Sequence, residues 1–414
     1  MSLLGLTWQQ LASYRALIPI GLVGILSWSV WIIRVTLSRL YRPTPAGYTT
    51  TTSVVVPAYR EDPEIIERCL KSWLAENPTE VIVVPDVADK DVIARLHRYD
   101  DDSRLRIIPF AHQGKRSALG VGIRAAKSDV LVLTDSDTEW LPGLIAAVQA
   151  PFADPTVGGV GTRQNVYMPG TSIWRRVANW MIDVRYLDYV PSQGRAGAVA
   201  VLSGRTAAYR RSAVLPVLGH LEYEFFLGKL CNSGDDGRLT WLILASGYKT
   251  VHQSTARTLS MFPDRLGPFL KQRLRWSRNS YRTYVTAMWK GWLWRQPLIC
   301  QLSVLQVSLT PLTMGIAITY LVRWLLFGAS WVATIAVAWL VLGRGVRGLS
   351  HLRQRPGDIV VLPLVVCMTV FVALFVKSFA FLTMNRQGWL TRRTGLIGGE
   401  GQSASSLAQD PSRG

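Results

Sequence analysis

Four cysteines in 414 residues (Cys69, Cys231, Cys300 and Cys367) are too few and too scattered for a disulfide framework or a metal-ligand spacing, and they point to a reducing compartment. The five histidines (His97, His112, His220, His252 and His351) are too dispersed to suggest zinc. No GxGxxG follows the first expected strand, so dinucleotide binding has no support. Acidic residues are scarce: 27 Asp and Glu stand against 46 Lys and Arg, a formal net charge of +19. Such a basic chain suits a nucleic acid or an anionic membrane surface. Long uncharged runs, 16 Trp and a mean hydropathy of +0.19 favour the membrane and argue against nucleic acid.

The apolar residues cluster at the two ends. Residues 16–33 are uncharged and nearly long enough to span, and Arg34, Arg39 and Arg42 follow. This reads as a transmembrane helix with a cytosolic C-terminal end. A signal peptide competes, but no small-residue cleavage site follows and the flanking charge is on the wrong side. Residues 298–327, with Pro311 inside, and 330–342 read as two further spans that return Arg344, Arg347, Arg353 and Arg355 to the cytosol. Residues 359–382, divided by Lys377, read as a last span, a short hairpin or a re-entrant element. The expected division is an N-terminal lead and span over 1–42, a cytosolic domain over 43–262, interfacial helices over 263–297, membrane helices over 298–385 and a tail over 386–414.

Between the apolar ends, strand-like runs at 53–56, 81–84, 105–109 and 130–134 alternate with helical spacing at 65–73 and 117–126. That alternation predicts an α/β domain with a largely parallel sheet. Two stretches, 173–190 and 269–284, mix charge with aromatics at helical spacing and suit the membrane interface.

The chemistry centres on VLVLTDSD, where a buried-type strand stops at Asp135 and Asp137. In an open α/β sheet, ligands bind at that end. Two carboxylates on one side of an extended backbone can share a divalent ion, Mg²⁺ or Mn²⁺, with a diphosphate; a solvated turn would read the same. Asp86 ends the preceding strand, where it can accept from a base or ribose or merely cap a turn. Lys115 and Arg116 follow Gly114 ahead of a helix, a diphosphate or uracil clamp or a basic helix start. Asp235 and Asp236 follow Gly234, and such a pair can supply a general base or form a solvated turn. Gln272, Arg275 and Trp276 share one helix face, which suits a diphosphate and a stacked sugar ring, or plain membrane anchoring.

In order along the chain, SVVVPAYRED, EVIVVPD, GKRSALGVG, VLVLTDSDTEWLP, GGVGTRQNV, LSGRTAAYR, GDDGRLTWLILASGYKT, FLKQRLRW and GWLTR resemble the processive membrane-embedded family 2 glycosyltransferases. These are the hyaluronan, chitin and cellulose synthases, and within them the likeness is greatest to bacterial type 3 capsular polysaccharide synthases. The resemblance implies an α/β GT-A-like glycosyltransferase domain combined with an α-helical transmembrane region, in the plasma membrane with its catalytic domain cytosolic. It implies processive, inverting synthesis of a β-linked polysaccharide from UDP-sugars such as UDP-glucose and UDP-glucuronic acid, or other UDP-sugars for a hyaluronan, chitin or cellulose-like product. A non-processive transfer to lipid fits the same motifs. By that likeness Asp86, Lys115, Asp135, Gln272, Arg275, Trp389 and Arg392 face the donor, Asp137 the metal, and Asp236 is the base. Trp276, Gly204, Arg205, Arg163 and Gln164 face the acceptor, with the nascent polysaccharide and membrane lipids as partners. Three departures stand out: Pro85-Asp86-Val87-Ala88 replaces Asp-Asp-Gly-Ser, Gly237 is inserted before Arg238, and Leu390 replaces Gly.

Overall fold

Runs of branched apolar residues build the centre of the molecule. The computed structural model describes residues 8–386 apart from 112 and 327–329. Four strands run parallel: β1 (Thr52–Ala58), β2 (Glu80–Pro85), β3 (Leu105–Ile107) and β4 (Val130–Thr134). Every residue of β1, β2 and β4 is buried, because helices cover both faces and the strands read as continuous apolar runs. Alternate residues serve opposite layers. Val55, Ile82, Leu131 and Leu133 pack with Leu119 and Ile123, while Val54, Val83 and Val132 pack with Ile66, Leu70 and Trp73. The second of those helices, Pro63–Ala75, begins at Asp62, whose carboxylate accepts from the Glu64 amide at 2.8 Å.

The other half of the sheet departs from the parallel expectation. The remaining strands are β5 (Thr138–Trp140), β6 (Val157–Val166), β7 (Thr206–Arg210), the small hairpin β8 (Phe225–Phe226) and β9 (Lys229–Leu230), and β10 (Lys249–Ser260). The main sheet is ordered β3-β2-β1-β4-β7-β6-β10-β5. β7 is antiparallel to both β4 and β6, and β5 to β10. This reversal places the start of β7 beside the end of β4, which fixes where the site forms.

The amphipathic stretch after β6 is an α-helix over Ile173–Val184, a π-turn over Arg185–Tyr189 and a helix over Val190–Arg195. The Arg- and aromatic-rich stretch is one helix, Leu266–Trp289. Among the described residues, Leu298–Leu326 and Pro356–Leu382 are long and apolar enough to cross a membrane. Leu309, Leu312, Val322, Leu325 and Leu326 lie exposed on the first, an apolar surface that water does not favour. The N-terminal helix runs unbroken over Trp8–Leu40, and Ser330–Arg347 is a further helix.

Residues 359–382 do not form a hairpin. A 3₁₀ turn (Pro356–Val361), α-helix (Leu362–Phe371), π-turn (Val372–Val376) and α-helix (Lys377–Leu382) follow without a break. The π-turn stands directly before Lys377, so the irregularity read from that charge is a bulge in the helix. Both ends of this rod are tied to helices of the α/β side. At one end Asp358 meets Arg176 at 2.6 Å and His351 Nε2 at 2.9 Å, while His351 Nδ1 reaches Asp183 at 2.8 Å. At the other, Arg278 donates to Thr383 Oγ1 at 3.0 Å and Tyr281 meets Phe381 edge-on at 5.5 Å.

Candidate active site

β4 ends at Thr134 and hands the chain to Asp135, whose amide donates to the Arg205 carbonyl at 3.1 Å. The Thr134 hydroxyl donates to the same carbonyl at 2.7 Å. Antiparallel pairing of Thr134 with Thr206 therefore locks Gly204 and Arg205 against the Asp135 turn. The helix Asp235–Ala245 completes the arrangement. Gly234 precedes it with φ 79°, a left-handed conformation that favours glycine. Asp236 accepts from the Gly237 amide at 2.8 Å and the Gly204 amide at 3.4 Å.

Lys115 ties these segments together. It opens the Lys115–Ala125 helix after Gly114, which has φ 105°, and its ammonium lies 2.7 Å from Asp135 and 2.9 Å from Asp235. Three segments far apart in sequence thus share one cation. Burial opposes the charge on Lys115, but the two carboxylates win and hold its pKa above the ordinary lysine value. Asp236 is shifted upward. Burial and the neighbouring Asp235 charge raise its pKa against the pull of Lys115 and the two backbone amides. A carboxylate so poised binds protons more tightly than an exposed aspartate, which suits a base.

Arg116 corrects the expected pair of clamp cations. Its guanidinium is buried and turned inward to Glu224 at 2.7 Å and to the Leu221 and Ser233 carbonyls at 3.0 and 2.9 Å. It braces the loop that carries Gly234 while Lys115 alone enters the site. Gly237 also finds its reason. A Cβ there would lie 2.9 Å from Thr283 Oγ1, so glycine lets the Asp235–Ala245 helix press against Leu266–Trp289. Arg238 is drawn to Glu224 at 3.3 Å instead.

Leu266–Trp289 brings in the buried Gln272 and the half-buried Arg275, each with a buried polar atom unpaired: Gln272 Oε1 and Arg275 Nε. Burial lowers the Arg275 pKa while the Asp135 charge raises it, which places that guanidinium within electrostatic reach of the carboxylates. Two guanidiniums lie over Trp276, Arg273 at 4.8 Å and Arg205 at 5.6 Å from its ring, with Phe262 edge-on at 6.0 Å. Arg205 is buried over Phe262 at 4.0 Å with Nη1 unpaired.

Asp86 is buried and accepts from the Ala88 amide at 2.8 Å, at the end of β2. Asp137 lies just past Asp135, with Thr138 Oγ1 at 3.5 Å. On β6, Gln164 is buried with Nε2 unpaired, whereas Arg163 reaches Gln354 at 3.1 Å and is not gathered with Lys115 and Asp236. Trp389 and Arg392 lie outside the described residues. Sequence reasoning gave no separate role to Asp235, the second anchor of Lys115. It also passed over Arg273. Its position next to Gln272 in the QRLRW stretch was the available signal.

Comparison with known proteins gives the family and the fold. Residues 50–279 match the family described as glycosyltransferase like family 2. An N-acetylglucosaminyltransferase of Bradyrhizobium diazoefficiens is 30% identical over 358 residues, 82% of this chain and 71% of that one. Another, from Rhizobium sp. (strain N33), is 28% identical over 359 residues, 83% and 77% of the two chains. A mannosyltransferase of Pyrobaculum calidifontis, solved with GDP-Man and Mn²⁺, shares the fold at TM-score 0.63 and 19% identity, covering 89% of this chain and 98% of that one. The chain belongs to glycosyltransferase family 2, and it is an enzyme with a GT-A-like α/β fold.

Proposed function

We propose that this glycosyltransferase is a membrane-bound, metal-dependent, inverting enzyme that extends a β-linked glycan from a UDP-sugar, with UDP-N-acetylglucosamine as its donor. The observation that carries the reading is the shared cation: Lys115 holds Asp135 and Asp235 together and sets Asp236 beside them. The relatives' activity supports N-acetylglucosamine over the glucose and glucuronic acid suggested by the capsule-synthase likeness.

In this reading Asp86 and Asp135 face the nucleoside and Lys115 the diphosphate. Arg275 offers its unpaired Nε to the diphosphate, and Gln272 presents Oε1 to a sugar hydroxyl or, turned over, its amide nitrogen to the diphosphate. Asp236 takes the proton from the acceptor hydroxyl, whose oxygen attacks the anomeric carbon as the bond to the diphosphate breaks. Trp276, beside the Arg205 and Arg273 guanidiniums, forms the platform under the acceptor sugar, with Gly204, Arg205 and Gln164 as its neighbours on the acceptor side.

The residues present fit a hard divalent ion. Asp137 projects from the strand end, and among the described residues its hydrogen bond is a long one of 3.5 Å. No group of three or more His, Cys, Asp or Glu among the described residues forms a ready-made cage, so the donor's diphosphate would complete the coordination. Asp137 would hold Mg²⁺ or Mn²⁺, which would supply positive charge against the leaving nucleotide diphosphate.

The apolar helices set the α/β unit on the cytosolic face of the plasma membrane, with Leu298–Leu326 as a span. The Pro356–Leu382 rod, tied at both ends to the α/β side, lies along the interface. Repeated addition follows from a platform tryptophan at the membrane end of the site. Membranes containing the protein, given radiolabelled UDP-N-acetylglucosamine, UDP-glucose or UDP-glucuronic acid with Mn²⁺ or Mg²⁺, are expected to incorporate N-acetylglucosamine into a product of many residues. Absence of incorporation from every donor would refute the function, and single-sugar products would refute processivity.

A further inference from the structure

A cavity of about 290 Å³ lies between the α/β unit and the apolar helices, lined by Arg34, Arg185, Arg344 and Arg347. Among the described residues its lining contains no carboxylate. The two carboxylates on the neighbouring helical segment are committed elsewhere, Asp183 to His351 at 2.8 Å and Asp188 to Ser350 at 2.8 Å. Arg34 is 1% exposed, stacks on Tyr189 at 4.5 Å and donates Nη1 to Gln306, yet its Nε and Nη2 are buried without partners. Arg347 donates to Ser27 at 3.0 Å and lies over Trp28 at 4.8 Å, and its Nε is likewise unpaired. Arg344 and Arg347 share a helix face. One buried and three half-buried guanidiniums gathered without a counter-charge repel one another unless an anion joins them, and their planar forks match phosphate oxygens.

We propose that this cavity binds the phosphate headgroup of an anionic membrane lipid. The inference rests on the membrane reading above. The rest of the wall mixes aliphatic side chains, Met181, Val184, Val307 and Val365 among them, with Trp180, Tyr189, Gln193, Tyr284 and Ser303; its aliphatic part leaves room for an amphiphile with phosphate at the arginines and hydrocarbon toward Leu298–Leu326. A glycan of N-acetylglucosamine is uncharged and would leave the arginines unpaired. Tyr284, which also lines the cavity, stands about two turns beyond Trp276 on the same helix. A lipid bound here therefore sits beside the acceptor platform.

The test uses the full chain in neutral detergent, titrated with phosphatidylglycerol, diacylglycerol, inorganic phosphate and a uronate oligosaccharide, with bound species counted by native mass spectrometry. The wild type is expected to retain phosphatidylglycerol and not diacylglycerol. Arg344→Gln/Arg347→Gln, at half-buried positions, should weaken retention at least tenfold, and Arg344→Lys/Arg347→Lys should recover part of it. UDP affinity, measured on the same samples, confirms that each variant is folded. Equal retention by wild type and the Gln variant would overturn the proposal. So would arginine-dependent binding of inorganic phosphate or of the uronate without retention of lipid. Because no donor turnover is read, failure here and failure of the donor assignment are separate results.

Discussion

Replacing Lys115 with methionine removes the cation that Asp135 and Asp235 share at 2.7 and 2.9 Å. Methionine matches the stem of the side chain, so the loss is chiefly charge. Three carboxylates, Asp135, Asp235 and Asp236, then face one another in a site where the Lys115 side chain is 16% exposed. Removing one partner of a buried ion pair costs about 3–5 kcal/mol; solvent around the 30% exposed Asp135 side chain argues for the lower end, about 3 kcal/mol. For a domain of this size that is a fall of about 6–12 °C in Tm. The raised pKa of Lys115 means the wild type keeps this contribution through neutral pH and loses it only above the ordinary lysine range. The raised pKa of Asp236 has the same sign in the acid range: its protonated form favours the fold, and ionising it as pH rises costs stability. Without Lys115 that shift grows, so the deficit of the variant should be full at neutral pH and shrink as pH falls and the carboxylates take up protons. If Asp236 is the base as proposed, the acid limb of kcat/KM should move to higher pH in any residual activity. Thermal unfolding in detergent across pH, followed by tryptophan fluorescence, reads the first effect and transfer assays the second. An unchanged Tm at neutral pH, or a deficit that does not shrink on acidification, would refute the shared-cation account.

Two further outcomes follow from close packing. A Cβ on Gly204 would lie 3.2 Å from Lys115 Nζ and 3.3 Å from Asp236 Cβ, so Gly204→Ala should displace the base by a few tenths of an ångström and lower kcat about tenfold with UDP affinity kept; equal kcat would contradict that placement. His351→Ala leaves one hydrogen-bonding site on each of Asp183 and Asp358 unpaired, a cost of about 2–6 kcal/mol, and should make the 348–358 segment susceptible to limited proteolysis, whereas an unaltered cleavage pattern would dismiss the clamp.

Much of the site was legible in the chain because its parts are local. VLVLTDSD ends its strand at Thr134 as read. Gln272, Arg275 and Trp276 lie on one continuous helix. What escaped was long-range. Nothing in TAAYR announces that β7 enters the sheet antiparallel, yet that reversal sets Gly204 against Asp236. Arg116 read like its neighbour Lys115 because both are cations at a helix start; only the tertiary position of Glu224 separates the inward brace from the site-facing ammonium. Lys377 signalled irregularity correctly, but a π-turn absorbs it without turning the chain.

The central claim is that Asp236 removes the acceptor proton. Asp236→Asn keeps the size and the hydrogen-bonding edge but not the basicity. With UDP-N-acetylglucosamine and Mn²⁺, the variant should bind UDP as the wild type does while its rate of transfer falls about 10²–10⁴-fold. Transfer at the wild-type rate by a variant that binds UDP normally would contradict the account.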